Sequence, residues 1–235
     1  MKTAVLFIHG FMGAHGLFPP MGKRIDGADI FYHILPGHES TLADFKKSGA
    51  VVWQASVDGR LAQLRKEYDR IVLAGHSMGG LLAVCAAVKN PDKIVGVTAI
   101  CFPIKVTLKL EWISLCMGAT KPYSEGEDPR VTAARRLAGV KIGSVGEYLS
   151  TLPQNFEFLK TTKAARKSLR RLQVPLTVIN SAEDEIVNPS VPDFVRGELP
   201  AARVILQKKS SHYLFDADEE TFIVETVARM VMGQL

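Results

Sequence analysis

Features that mark membrane and exported proteins are missing from this sequence of 235 residues. No run of apolar residues approaches the roughly 18 that a membrane span requires. The opening apolar run, residues 4–8, ends at His9-Gly10 and is too short for the core of a signal peptide. We therefore expect neither a membrane span nor export.

Cysteine is scarce, with Cys85, Cys101 and Cys116 forming an odd set of three without C-x-x-C spacing. Each of them has apolar neighbours, which is typical of a cysteine that is buried as a small hydrophobic residue. This usage suits a reducing compartment, so we predict a cytoplasmic protein.

Patterns that bind metals and phosphates are also missing. His38-Glu39 has no second histidine four residues on, and no other pair has the spacing of zinc ligands. The glycine-rich residues 9–13 lack the Lys-Ser/Thr that follows a phosphate-binding loop. We predict no metal site and no cofactor.

Positive charge is concentrated in one segment. The net charge is +5, and residues 103–171 hold 13 Lys and Arg against 6 Asp and Glu. No nucleic-acid-binding motif accompanies them, so we predict no nucleic-acid partner. Six of these cations share one predicted helix face, which is either simply solvated or weakly attracted to anionic lipid surfaces. They are Lys160, Lys163, Arg166, Lys167, Arg170 and Arg171.

The chain does contain a regular alternation of apolar strands and amphipathic helices. Strands are predicted at residues 3–8, 30–34, 71–74 and 94–101, with helices at 55–68 and 78–89. After Pro103 the alternation stops for about seventy residues and then resumes. Strands follow at 175–180 and 204–207, and helices at 190–199 and 218–232. Such an order predicts right-handed crossovers and a parallel α/β sheet.

The interruption predicts an insertion. We assign residues 1–102 and 173–235 to the α/β core and residues 103–172 to an inserted helical cap. The oligomeric state stays open at this level.

One stretch carries a chemical motif in the right surroundings. Gly75-x-Ser77-x-Gly79 follows the apolar run 71–73 and precedes a predicted helix, which is the context of a nucleophile elbow. The alternative is a plain glycine turn. A serine nucleophile needs a base within reach and an acid that orients the base.

His212 is the single histidine that follows Ser77 in the sequence, and it lies just past the last predicted strand. Three adjacent carboxylates, Glu183, Asp184 and Glu185, follow the preceding strand. One of them can face His212, and position alone does not select it. The backbone N–H groups of Met78, at a helix start, and of Phe11, after His9-Gly10, are candidates for an oxyanion hole.

Four motifs in this order resemble the α/β-hydrolase superfamily, of the serine carboxylesterase and monoacylglycerol lipase type. They are His9-Gly10-Phe11, Gly75-His76-Ser77-Met78-Gly79-Gly80, Asp184-x-Ile186-Val187 and Ser211-His212. The resemblance implies a triad of Ser77, Asp184 and His212. Glu183 and Glu185 are expected to be solvated, as acidic loop residues usually are. It also implies an α/β-hydrolase fold with a mostly parallel sheet of about six strands, because the first two strands usual in the family are missing.

The predicted cap bears on the substrate. Leu108, Trp112, Leu115 and Met117 form an apolar segment that, with Phe11, is expected to line an acyl pocket or else to dock the cap on the core. The leading hypothesis is hydrolysis of a small-molecule ester, medium-chain or monoacylglycerol-like, through an acyl-enzyme. The same triad acting on a thioester, a lactone or a C–C bond, and a non-catalytic binding protein, are the alternatives.

Overall fold

A single parallel sheet forms the centre of the molecule in the computed structural model, which describes residues 1–107, 115 and 117–234. The strands are β1 (Thr3–Ile8), β2 (Asp29–His33), β3 (Arg70–His76), β4 (Ile94–Ile100), β5 (Leu176–Ser181) and β6 (Arg203–Gln207). Their order across the sheet is β2-β1-β3-β4-β5-β6, and every neighbouring pair is parallel. The predicted mostly parallel sheet of about six strands is confirmed.

Burial explains why the strands could be predicted from apolar runs in the sequence. All residues of β1 and β5 are buried, as are nearly all of β3 and β4, because helices cover both faces of the sheet. The edge strands β2 and β6 are largely only half-buried.

Helices connect the strands and cover the sheet. They are α1 (Phe18–Gly22), α2 (Leu42–Phe45), α3 (Ala50–Glu67), α4 (Met78–Lys89), α5 (Pro129–Leu137), α6 (Val145–Leu149), α7 (Leu152–Leu169), α8 (Val191–Glu198) and α9 (Ala217–Met232). The helix predicted from residue 55 begins earlier, at Ala50. The apolar periodicity did not indicate its first turn, because Val51 and Val52 are apolar but exposed. No described helix is both long and apolar enough to cross a bilayer.

Between β4 and β5 lie α5, α6 and α7. The α5 helix begins where Asp128 caps the Arg130 N–H and Pro129 occupies the first turn. The α7 helix packs Phe158, Ala165 and Leu169 against the core. The division into core and cap stays a prediction.

The candidate catalytic residues lie at the carboxyl ends of the strands, at one edge of the sheet. The strand order changes direction between β1 and β3, because the chain passes from β1 to β2 on one side and then crosses to β3 on the other. In such folds ligands bind at this switch point, outside the carboxyl ends of the strands. Ser77 follows β3 directly, and His212 follows β6 by five residues.

Candidate active site

Ser77 occupies a strained turn between β3 and α4. Its φ of 53° and ψ of −123° lie in a region that side-chain-bearing residues rarely adopt. The turn requires glycine on both sides. A Cβ at Gly75 would lie 2.3 Å from the Gly79 carbonyl carbon, and one at Gly79 would lie 2.0 Å from the Ile8 oxygen. The glycines thus allow the close approach that places Ser77 at the sheet edge.

His212 and Asp184 meet in the interior beside this turn. The His212 Nδ1 lies 2.9 Å from Asp184 Oδ2 and 3.1 Å from Oδ1. Both side chains are almost fully buried, at 2% and 0% exposure. The structure therefore brings together the candidate base and the candidate acid, which lie 28 residues apart in the sequence.

The pKa of Asp184 fixes the direction of this hydrogen bond. Burial by itself raises that pKa, but His212 and the backbone N–H groups of Ile186 and Val187 outweigh burial and hold the pKa at about 2. Asp184 is therefore ionised at neutral pH and can only accept, so Nδ1 of His212 carries the proton. The other ring nitrogen, Nε2, is then available as a base.

His76 and Cys101 lie beside the Asp184–His212 pair. His76 Nε2–H donates to the His212 carbonyl oxygen at 2.9 Å, and burial lowers the pKa of His76 to about 3, so its ring is neutral. Burial, followed by the Asp184 charge, raises the pKa of the Cys101 thiol well above its ordinary value. Both residues are therefore uncharged neighbours of the Asp184–His212 pair.

These groups do not fit a metal site. In the described part of the chain, His76, Cys101 and His212 bring ligand atoms within 4.8 Å of one another. However, the His212 Nδ1 is held by Asp184, the His76 Nε2 is held by a carbonyl, and the thiol keeps its proton. A metal needs deprotonated ligands with free lone pairs, so the donor set suits a hydrogen-bond network instead.

The expectation that Glu185 is solvated was wrong. Its side chain has 0% exposure, and it accepts a hydrogen bond from the His212 backbone N–H at 2.9 Å. Its second oxygen lies 3.4 Å from Nη1 of Arg130, at the start of α5. Since the partner sits in an insertion 55 residues away, no local sequence pattern could have indicated this burial.

The loop after β1 faces the elbow. Gly10 approaches so closely that a Cβ there would lie 2.9 Å from the Ser77 Cβ. His9 holds this loop, because its Nδ1–H donates to the Gly10 oxygen at 2.9 Å and its Nε2 accepts from the Leu35 N–H at 3.0 Å. These two bonds give His9 a structural role in holding the loop.

A small cavity of about 20 Å³ lies over Ser77. Phe11, Leu137, Ser77 and His212 are among the residues that line it. It has room for about one water-sized group, which is the size of a carbonyl oxygen under attack. Phe11 and Met78 remain the predicted backbone donors for that oxygen.

A second cavity of about 630 Å³ adjoins the first, since Phe11 and Leu137 line both. Its volume falls in the range of small-molecule sites. Most of its wall is apolar and comes from the insertion, including Ala134, Val140, Ile142, Phe158 and Leu159.

The predicted substrate-binding residues have mixed outcomes. Phe11 lines both cavities. Leu108 and Trp112 lie outside the described residues. Leu115 is buried and Met117 is 38% exposed, and neither is among the described residues that line the large cavity. The apolar wall comes instead from α5, α7 and the residues between α5 and α6, whose side chains are scattered along the sequence.

Comparison with known proteins agrees with this architecture. A thermostable monoacylglycerol lipase of Bacillus sp. (strain H-257) is 26% identical over 232 residues, covering 95% of this chain and 88% of the lipase. A pimeloyl-[acyl-carrier protein] methyl ester esterase of Neisseria meningitidis is 23% identical over 236 residues, covering 93% and 89%. The structure reported for the metagenome-derived lipolytic enzymes LipS and LipT superposes with a TM-score of 0.69 at 22% identity, covering 97% and 93%. The relatives are thus lipases and esterases. The model of the alpha/beta hydrolase family matches residues 5–224, and the chain belongs to that family.

Proposed function

We propose that this hydrolase cleaves carboxylic esters through an acyl-enzyme formed on Ser77. The observation that carries the proposal is the buried Asp184–His212 pair, which shares one small cavity with the strained Ser77. A hydroxyl becomes a useful nucleophile at neutral pH only beside an oriented base, and this pair supplies one.

The reaction runs in two halves. As the Ser77 oxygen attacks the ester carbonyl, His212 Nε2 takes the hydroxyl proton, and Asp184 stabilises the imidazolium that forms. The negative oxygen of the tetrahedral intermediate is assigned to the backbone N–H groups of Phe11 and Met78. His212 then gives its proton to the departing alcohol, leaving Ser77 acylated. Water activated by His212 releases the acid in the second half.

The large cavity supports an apolar acyl group. Each buried methylene is worth about 0.8 kcal/mol, so a largely hydrocarbon-lined space of about 630 Å³ favours a medium-length chain over acetate. The similarity to a monoacylglycerol lipase and to a methyl ester esterase points to the same substrate class. We therefore propose a medium-chain or monoacylglycerol-like ester.

Replacement of Ser77 tests the nucleophile. Ser77→Ala should lower kcat on a short acyl ester by about 10⁴- to 10⁶-fold, because the hydroxyl is lost while the oxyanion donors remain. Ester turnover is measured on the purified protein, with covalent labelling by a serine-directed phosphonate as a second readout. If the variant kept more than about a tenth of the wild-type activity, Ser77 would not be the nucleophile.

We also propose that the insertion is weakly attracted to an anionic lipid surface. Leu152, Phe156 and Leu159 lie on one face of α7 with exposures of 45%, 65% and 50%. Leu159 lines the large cavity, so this apolar face adjoins the cavity mouth. The exposed Lys163 continues the same face with positive charge.

Part of the predicted basic face has intramolecular partners. Arg166 donates to the Ile104 oxygen, Arg170 pairs with Glu198, and Lys160 pairs with Glu157. The lipid contact proposed here therefore depends on the apolar residues of α7 as well as on Lys163 and Lys167.

Vesicle sedimentation tests this contact. The wild-type protein should bind phosphatidylglycerol vesicles more strongly than phosphatidylcholine vesicles. Because salt screens exposed charges, about 0.5 M NaCl should weaken the binding to phosphatidylglycerol. Phe156→Ser should reduce binding to the anionic vesicles without changing turnover of a water-soluble acetyl ester. Equal sedimentation of both proteins with both vesicle types would refute the proposal.

A further inference from the structure

Glu185 is a buried charged side chain for which the proposed mechanism has no role. It follows the proposed triad acid directly in sequence, yet it points elsewhere. One oxygen, Oε2, accepts the His212 backbone N–H at 2.9 Å. The other, Oε1, faces Nη1 of Arg130 at 3.4 Å. The carboxylate thus divides its two oxygens between the histidine loop and the insertion.

Because the Glu185 carboxylate is buried, its stability depends on these two contacts. A carboxylate without solvent is tolerated only where hydrogen bonds or opposite charge replace the lost water. Glu185 is fully buried, whereas Arg130 is 34% exposed, so the pair spans from the interior to the surface. Among the described residues that line the two cavities Glu185 is absent, so any effect on substrate must pass through its partners in the histidine loop and α5.

The helix that carries Arg130 contacts the other half of the site at its far end. The Leu137 oxygen, in the last turn of α5, accepts the Ala14 N–H at 2.8 Å. Just beyond, the Gly139 N–H donates to the Met12 oxygen at 2.8 Å. Ala14 and Met12 belong to the loop that carries Phe11. One helix of the insertion is therefore bound at its start to the histidine loop and at its end to the loop of the predicted oxyanion donor.

We propose that Glu185 is a positioning residue, which fixes the main chain of His212 and ties it to α5 through Arg130. This inference rests on the proposed function, since it gives Glu185 a role only if His212 is the base. The bond from Asp184 orients the imidazole ring, and the bond from Glu185 holds the backbone that carries the ring. Without Glu185 the His212 N–H would be buried without a partner, and a shift of about 1 Å in a reacting group can cost about 100-fold in rate.

Substitutions at the two positions separate the two contacts. Glu185→Gln keeps an oxygen for the His212 N–H but loses the charge that faces Arg130. Glu185→Ala loses both contacts, and Arg130→Gln loses the tie to α5 together with the Arg130–Asp128 ion pair at the start of that helix. Arg170→Gln is the matched control, because it breaks another arginine–glutamate pair between the insertion and the core, away from the histidine loop.

The readout is kcat and KM on a water-soluble acetyl ester, with thermal unfolding as a check on the fold. We expect kcat to fall about tenfold to a hundredfold in Glu185→Ala, with KM changed less than about twofold. Glu185→Gln and Arg130→Gln should each lower kcat by about threefold to tenfold. The double variant that carries both substitutions should lose no more kcat than either single variant, since Arg130 acts through Glu185. Arg170→Gln should keep wild-type kcat.

Each result decides the proposal. If Glu185→Ala kept wild-type kcat while Ser77→Ala was inactive, the positioning role would be overturned and the proposed function would stand. If Ser77→Ala stayed active, the proposed function itself would fail. Where Glu185→Ala does not fold, the double-variant cycle decides. Multiplicative losses, or no loss in Arg130→Gln, would show that Arg130 does not work through Glu185.

Discussion

At the scale of single residues, the loop after β5 places three neighbouring carboxylates in three different environments. Glu183 is exposed, Asp184 faces His212, and Glu185 is buried against the histidine backbone. A side chain's surroundings, rather than its position in an acidic run, decide its chemistry. The prediction that follows is specific to one carboxylate.

Asp184→Asn should lower kcat by about 10⁴-fold, because an amide can donate to Nδ1 and so favours the wrong tautomer of His212. Glu183→Gln is the matched control and should leave kcat within about twofold, as expected for an exposed substitution. Both variants are assayed on the same acetyl ester. Comparable losses in the two would indicate that the whole loop had been disturbed and that Asp184 has no special role.

At the scale of elements, α5 supplies one wall of the large cavity. Ala134 is buried and lines this space, whereas Arg136, two residues later, is exposed. The two positions therefore allow the same added side chain to be placed inside and outside the cavity.

Ala134→Leu should fill part of the space that an acyl chain would occupy. Excluding about three methylenes at about 0.8 kcal/mol each should lower the octanoyl-to-acetyl ratio of kcat/KM by at least about tenfold. Arg136→Leu, the control, should leave the ratio unchanged. If the ratio in Ala134→Leu matched the wild type, the acyl chain would have to bind outside this cavity.

At the scale of the whole molecule, buried neutral histidines couple stability to pH. Burial lowers the pKa of His9 and His76 to about 3 and that of His33 and His38 to about 4. In the unfolded chain these residues titrate near 6.5, so below that pH the unfolded state binds more protons than the native state. Their contribution is complete above pH 6.5 and is lost as the pH falls toward 4.

The free energy of unfolding should therefore drop by about 5.5 kcal/mol between pH 7.5 and pH 5.5, at about 1.4 kcal/mol for each of the four histidines. Urea unfolding at both values measures it. The Asp184 carboxyl titrates at about 2 and does not contribute in this window. His38→Gln keeps an acceptor for the Met12 N–H and should reduce the drop by about 1 kcal/mol. A drop of equal size in both proteins would mean that His38 does not contribute to the pH dependence.

The sequence by itself determined the sheet, the elbow and the order of the candidate triad. Strands buried on both faces read as continuous apolar runs, and a turn that excludes Cβ atoms can be written only with glycine, as at Gly75 and Gly79. These features are local, so they are visible in a single stretch of chain.

Only the tertiary structure decided which residues meet across long separations. Glu185 looked solvated because it ends a run of three acidic residues, and its burial depends on Arg130 and His212, which lie 55 and 27 residues away. The cavity wall likewise combines Phe11 with side chains of the insertion, more than a hundred residues later. Such contacts form where packing and charge complement each other in space, and no periodicity along the chain records them.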